Sequence, residues 1–243
     1  MKTKHNKNYK KKINYTRKNI KKKIVVLDSG GGGKSLVRTI KSTNKNVNPI
    51  FHAIYGGKPV GNLTKKDIMN KMTNILDKNY NNKHIIVIIA CHSASSSVMD
   101  KLIENNFFWG KYKVFEPIMP MCIKIKEKNY KNIIILSTKI TQKTKWHARI
   151  LNDYGINNVH YITLPLLAGV IDRGENINTA LEPLHHHNDI IKKADCVVLG
   201  CTHYNMVKEQ IYSRLKKHFF KGYILNSNKT MLKYIYDYYS SPF

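Results

Sequence analysis

Short apolar runs, three to six residues long and rich in Ile and Val, recur along the chain at intervals too wide for simple hairpins. They are Ile24–Asp28, Ile50–Tyr55, Ile85–Ala90, Val114–Glu116, Ile133–Ser137, Val159–Leu164, Cys196–Gly200 and Tyr223–Leu225. Apolar residues at consecutive positions require burial on both faces, the habit of parallel strands covered by helices. Between the runs, 64–80, 141–153 and 204–219 carry the periodicity of amphipathic helices. This alternation predicts an α/β fold with mainly parallel sheets flanked by helices. The pattern decides 113–130 and 173–193 least. No apolar run approaches the roughly 20 residues needed to cross a bilayer, so no membrane association is expected.

Spacing adds an internal relationship. Asp28, at the end of the first run, and Cys91, just past the third, lie 63 positions apart, and so do Thr138 and Cys201. Each of these residues marks the C-terminal end of a predicted strand. Two similar α/β halves would produce this, meeting near 115–120, where Pro117 and Pro120 stand. The expected organisation is 24–116 for the first half, 117–212 for the second, and 213–243 returning to complete the first.

Composition changes the picture mainly at the N-terminus. The 243-residue chain has a net charge of +27, and residues 1–23 contribute 11 basic side chains and no acid. That segment reads as a solvated, disordered tail, with a nucleic-acid arm or a targeting segment as lesser readings. Lysine supplies 37 of the 42 basic residues and asparagine is abundant at 26. A surface that reads phosphates or bases would use more Arg, so nucleic acid is not the expected partner despite the charge. Four cysteines in a chain of this size do not make a disulfide framework, and free thiols in a reducing, cytoplasmic setting are expected.

In open α/β sheets ligands bind outside the carboxyl ends of the strands. Four segments there carry chemistry: Asp28-Ser29-Gly30-Gly31-Gly32-Gly33-Lys34-Ser35, Pro59-Val60-Gly61-Asn62, Ala90-Cys91-His92-Ser93-Ala94-Ser95 and Gly200-Cys201-Thr202-His203-Tyr204. The first resembles a phosphate loop but fails as one. The position that must be Gly is Asp28, whose carboxylate would repel phosphate. The glycines read instead as a turn that lets backbone approach a ligand closely. Cys122 and Cys196 read as buried structural residues. Cys91 and Cys201 sit where amides of the following helix can stabilise a thiolate. Neither has the paired short spacing of a zinc site, so no metal is expected, and His185-His186-His187 reads as a polar loop.

With these segments in order, the chain is similar to the glutamate racemase family, within the wider aspartate/glutamate racemase superfamily. The resemblance rests on Asp28-Ser29-Gly30, Pro59-Val60-Gly61, Ala90-Cys91-His92-Ser93-Ala94 and Val198-Leu199-Gly200-Cys201-Thr202-His203-Tyr204, and covers about 24–226. It implies two α/β domains with the active site in the cleft between them, an amino-acid substrate and no cofactor. Cys91 and Cys201 would be the two acid–base groups, assisted by Asp28 and His203, with Asp172 as a further acidic residue. Ser29, Pro59, Val60, Gly61, His92, Ser93, Thr138 and Thr202 would bind substrate. Relatives acting on aspartate usually carry Glu where this chain has His203, which favours glutamate. The family also implies a homodimer as an option and a role in supplying D-glutamate for peptidoglycan.

The departures lie among the binding positions. His92 stands where the family has Asn, Ser93 where it has Thr, and Val60 where it has Tyr. The alternatives are a racemase of aspartate or another acidic amino acid, a phosphate-loop nucleotide-binding protein, and a racemase-like protein that binds nucleic acid.

Overall fold

The computed structural model describes residues 23–44, 47–54, 64–81 and 84–239. Two mainly parallel sheets, each flanked by helices, make up the molecule. The first holds β1 (Lys23–Asp28), β2 (Ile50–Ala53), β3 (Ile85–Ile89), β4 (Phe108–Trp109) and β5 (Tyr112–Phe115) in the order β2-β1-β3-β5-β4. The second holds β6 (Asn132–Ser137), β7 (Asn158–Thr163), β8 (Cys196–Gly200) and β9 (Tyr223–Leu225) in the order β7-β6-β8-β9. Leaving out the antiparallel edge strand β4, both sheets follow one plan. The chain leaves the first strand of each sheet to one side, then returns to its other side. That is a topological switch point, where the strand ends splay and leave a crevice.

The two-sided burial read from the sequence is observed in the central strands β1, β3, β6 and β8, whereas the edge strands β2 and β7 are only partly buried. On the first sheet, Val25, Leu27, Val87 and Ile89 face α2 (Lys65–Tyr80) and α3 (His92–Glu104). Ile24, Val26, Ile86 and Ile88 face α1 (Gly31–Thr43) and α10 (Ser227–Tyr239). On the second sheet, Ile133, Ile135 and Val198 pack with α4 (Ile118–Glu127) and α6 (Trp146–Asp153). Ile134, Leu136, Val197 and Leu199 pack with α8 (Asn188–Lys193), α9 (Lys208–Lys217) and the 3-10 helix Thr179–His187.

Several sequence expectations need correction. The segment 213–243 does not return to the first half as a unit. β9 pairs with β8 in the second sheet, through Cys196 with Tyr223 and Val198 with Leu225. Only α10 beyond it covers the first sheet, through Met231, Leu232 and Ile235. The helix expected at 141–153 is two, α5 (Lys139–Thr144) and α6, broken at Lys145, whose φ of 53° is left-handed. The stretch 204–219 begins as a 3-10 helix, Thr202–Val207, and becomes regular only at α9. β4 was not expected at all, and its two residues are too few to leave a periodic signal.

The undecided stretch 113–130 contains α4, whose start explains its weak pattern. Pro120 lies in the first turn, where a missing N–H costs nothing. The buried Glu116 carboxylate accepts from Ile118 N at 2.5 Å and Met119 N at 2.9 Å, so a side chain two residues upstream supplies the cap. Residues 1–22 lie outside the described residues, so the proposed tail is not addressed; Lys23 already belongs to β1. Among the described residues no helix is long and apolar enough to cross a membrane.

Candidate functional site

The 63-residue spacing has a simple origin. β1 and β3 are neighbours, with Leu27 level with Ile89, so Asp28 and Cys91 emerge side by side. β6 and β8 are neighbours too, with Ser137 level with Gly200, so Thr138 and Cys201 emerge side by side. Both pairs sit at the switch points of their sheets. Side chains from the two halves meet there.

Asp28 is fully buried at this meeting point. One carboxylate oxygen accepts the Gly30 amide at 3.0 Å, and the other accepts the Thr202 hydroxyl of the second half at 2.9 Å. Burial raises its pKa, opposed by the Gly30 amide, the nearby His203 and Thr202. Cys91 is 6% exposed, and its thiol points to the Ser29 hydroxyl at 3.8 Å. Burial first, and the Asp28 charge second, push the Cys91 thiol up to about 12. Cys201 is equally sheltered. Burial raises its pKa above the ordinary thiol range, and the proximity of Cys91 raises it further. The helix amides at Ser93 and Ala94, and at His203 and Tyr204, do favour the thiolates. Burial outweighs them and favours the protonated thiol at both positions, and a charge on Cys91 is felt at Cys201.

His203 connects Cys201 to Asp172 on α7 (Leu167–Arg173). Its Nδ1 stands 3.8 Å from Cys201 Sγ, and its Nε2 stands 3.0 and 3.1 Å from the two Asp172 oxygens. The Gly32 amide also points at Nε2, from 3.3 Å. The amide and the carboxylate favour opposite tautomers. With the proton on Nε2, the ring donates to the Asp172 carboxylate, the stronger of the two bonds. Nδ1 then presents a lone pair to the Cys201 thiol.

The glycine run is not a flexible turn, since Gly31–Gly33 form the first turn of α1. It allows close approach of other parts of the protein. A Cβ on Gly31 would lie 2.3 Å from Asp172 Oδ1, on Gly32 2.6 Å from Thr202 Cβ, and on Gly33 2.3 Å from Asp28 Cβ. Lys34 is exposed.

Among the expected binding residues, Ser29, Ser93, Thr138 and Thr202 are placed around this cluster. Ser93 and Thr138 join the halves directly, with their hydroxyls 2.8 Å apart. Thr138 also caps α5 by accepting from Thr141 N. His92 is drawn elsewhere, its ring stacked on His147 from α6. Pro59, Val60 and Gly61 lie outside the described residues. Cys122 and Cys196 are buried, and all four cysteines are free. Among the described residues no three His, Cys, Asp or Glu side chains gather as a metal site. Sequence reasoning missed Gly32, whose amide reaches His203, and His147, which has no local signal.

Proteins of known structure share this architecture. A glutamate racemase from Campylobacter jejuni superposes with a TM-score of 0.74 at 21% identity, covering 88% of this chain and 85% of that one. A glutamate racemase from Francisella tularensis in complex with D-glutamate superposes at 0.73 and 21% identity, covering 89% and 80%. At that identity the likeness shows the fold alone, two mainly parallel sheets flanked by helices. In sequence, a glutamate racemase from Fusobacterium nucleatum is 32% identical over 205 residues, covering 80% of this chain and 74% of its own length. No family model matches the chain. The chain belongs to the glutamate racemase family and is an isomerase that racemises amino acids.

Proposed function

We propose that the chain interconverts L- and D-glutamate, using Cys91 and Cys201 as opposed acid–base groups at the substrate α-carbon. One sulfur, as thiolate, takes the α-proton from one face. The other, as thiol, delivers its proton to the opposite face. The two sulfurs thereby exchange protonation states, and the reverse reaction starts from that exchanged state. Protons balance within the pair, and the step as written calls for no cofactor.

The difficulty is acidity. An amino-acid α-proton is a very weak acid, while a free thiol has a pKa of roughly 8.5. A thiol pushed upward by burial is a stronger base once ionised and holds the proton more firmly. Asp28 beside Cys91, and His203 oriented by Asp172 beside Cys201, are the groups that remove the thiol proton and return it. Ser29, Ser93, Thr138 and Thr202 supply hydroxyls for the carboxylates and ammonium of the substrate. The fixed amides and hydroxyls in a water-poor site stabilise the carbanion-like transition state.

The observation that carries this reading is the pairing of two buried thiols, Cys91 beside Asp28 and Cys201 beside His203, with the Cys91 charge felt at Cys201. Glutamate is favoured by the relatives of this chain and by His203. Aspartate or another acidic amino acid is the alternative. A compartment with reduced thiols suits the chemistry, and D-glutamate for peptidoglycan is the product such an enzyme would supply.

The test is proton NMR with L- and then D-glutamate in D2O, repeated with aspartate. Loss of the α-proton signal from both glutamate enantiomers, with chiral analysis showing interconversion, supports the reading. Cys91→Ala and Cys201→Ala should each abolish racemisation, and either variant turning over normally would exclude the two-thiol mechanism.

A further inference from the structure

Beneath Cys91 lies a group of polar side chains that the proposed chemistry does not use. His92 opens α3 and is 1% exposed, and its ring lies 5.8 Å from that of His147, inclined by 14°. His147, in the first turn of α6, is fully buried. Neither ring nitrogen of either histidine has a hydrogen-bond partner among the described residues. The same holds for the buried hydroxyls of Ser96, one turn along α3, and Ser137, at the end of β6.

These four residues belong to one layer. His92, Ser96, Met99 and Ile103 form a stripe along α3, and Met99 and Ile103 pack into the cluster of α4, α6 and β6 in the second half. Ser137 lies on the same face of β6 as Ile133 and Ile135, which belong to that cluster. Buried polar atoms in native proteins are nearly always paired, and where the chain offers no partner, internal water serves. Burial holds His147 down to about 3 and His92 well below the usual imidazole range, so both rings are neutral. Cys122, whose thiol donates to the His147 carbonyl, and Tyr161, whose ring lies 6.4 Å away, are the ionisable neighbours in contact with His147. Burial keeps both of these protonated as well.

We propose that His92 and His147 are positioning residues: a stacked imidazole pair, bridged by internal water, that seats the first turn of α3, and with it Cys91, against the second half of the molecule. The inference rests on Cys91 being a reacting group. The pair touches no substrate and acts through the thiol's position.

The test separates hydrogen bonding from shape. His147→Gln keeps a donor and an acceptor; His147→Phe keeps a flat ring without either. The Gln variant should hold kcat within about threefold of the unaltered protein, while the Phe variant should lose about tenfold in kcat with KM unchanged, as expected for a misplaced reacting group. The reverse order, equal effects, or a change confined to KM would overturn the proposal. If the unaltered protein exchanges no α-proton at all, the racemase reading fails by itself. The pair is then judged by the iodoacetamide alkylation rate of Cys91, read by mass spectrometry, where the Phe variant should again differ from the unaltered protein more than the Gln variant does. Equal rates in all three proteins would overturn it. Long-range proton–nitrogen spectra of the unaltered protein give a measurement independent of any variant's folding: both rings should stay neutral from pH 5 to 8, and titration of either within that range would overturn the proposal.

Discussion

Thr202 donates its hydroxyl proton to Asp28 at 2.9 Å, tying the residue between Cys201 and His203 to the carboxylate beside Cys91. The two sides of the site are therefore not independent. The proton affinity of Asp28 depends on a donor from the opposite half, and Asp28 in turn raises the pKa of both thiols.

Thr202→Val keeps the shape and removes the donor. Asp28 then loses an interaction that lowers its pKa, so the carboxylate holds its proton to higher pH. α-Proton exchange in the direction that starts at Cys91 should fall about tenfold for each unit of pKa rise, and its pH profile should move to higher pH. Exchange rates from each enantiomer, measured between pH 6 and 9, check both effects.

A Cys91 thiol pushed up to about 12 is almost wholly protonated at neutral pH. Its alkylation by iodoacetamide should therefore rise about tenfold per pH unit from 7 to 9, because only the thiolate reacts. A rate already level by pH 8 would mean that the thiolate is held far more strongly than burial allows. Cys201, shifted in the same direction, should show the same slope.

Two alanine substitutions in the glycine run should have different outcomes. On Gly31 the new methyl meets the end of the Asp172 side chain, which is half-exposed and able to swing away. Gly31→Ala should break the Asp172–His203 pair, lower activity about tenfold and leave Tm nearly unchanged. On Gly33 the methyl meets Asp28 Cβ and the Phe51 ring, both held in place. Gly33→Ala should destabilise the fold by about 1–3 kcal/mol, read by urea unfolding.

Glu116 is buried at the start of α4, and burial raises its carboxyl to about 7 against the two amides it accepts. A folded pKa above the unfolded value means that the folded state binds the proton more tightly. The stability this contributes is full below the unfolded pKa, near 4.5, and is lost as pH rises through about 7. Compared with Glu116→Gln, the unaltered protein should gain stability on moving from pH 8 to pH 5. Urea unfolding of both proteins at both pH values, with an unchanged difference, would refute this.

Much of the fold was legible because its signal is local. Strands buried on both faces must be apolar at every position, so Ile24–Asp28, Ile85–Ala90, Ile133–Ser137 and Cys196–Gly200 announce themselves. Turns and site groups follow directly at their ends, which is why Asp28, Cys91, Thr138 and Cys201 were visible as residues with chemistry. Their equal spacing reflects one strand order used twice. Helix boundaries were less legible, since a single left-handed residue such as Lys145 divides a periodic stretch without altering its pattern.

The remaining features depended on contacts between residues far apart in the chain, which no local pattern encodes. β9 joins the second sheet because β8 offers it a free edge, while α10 covers the apolar face of the first. The glycines of α1 owe their small size to Thr202, Asp172 and Asp28, two of which come from the other half. His92 lies one position from Cys91 in sequence, yet its ring stacks on His147 of the other half. Desolvation, too, belongs to the surroundings and not to the residue. The amides that follow each cysteine are written in the chain and favour thiolate, but only the assembled fold excludes enough water for burial to win.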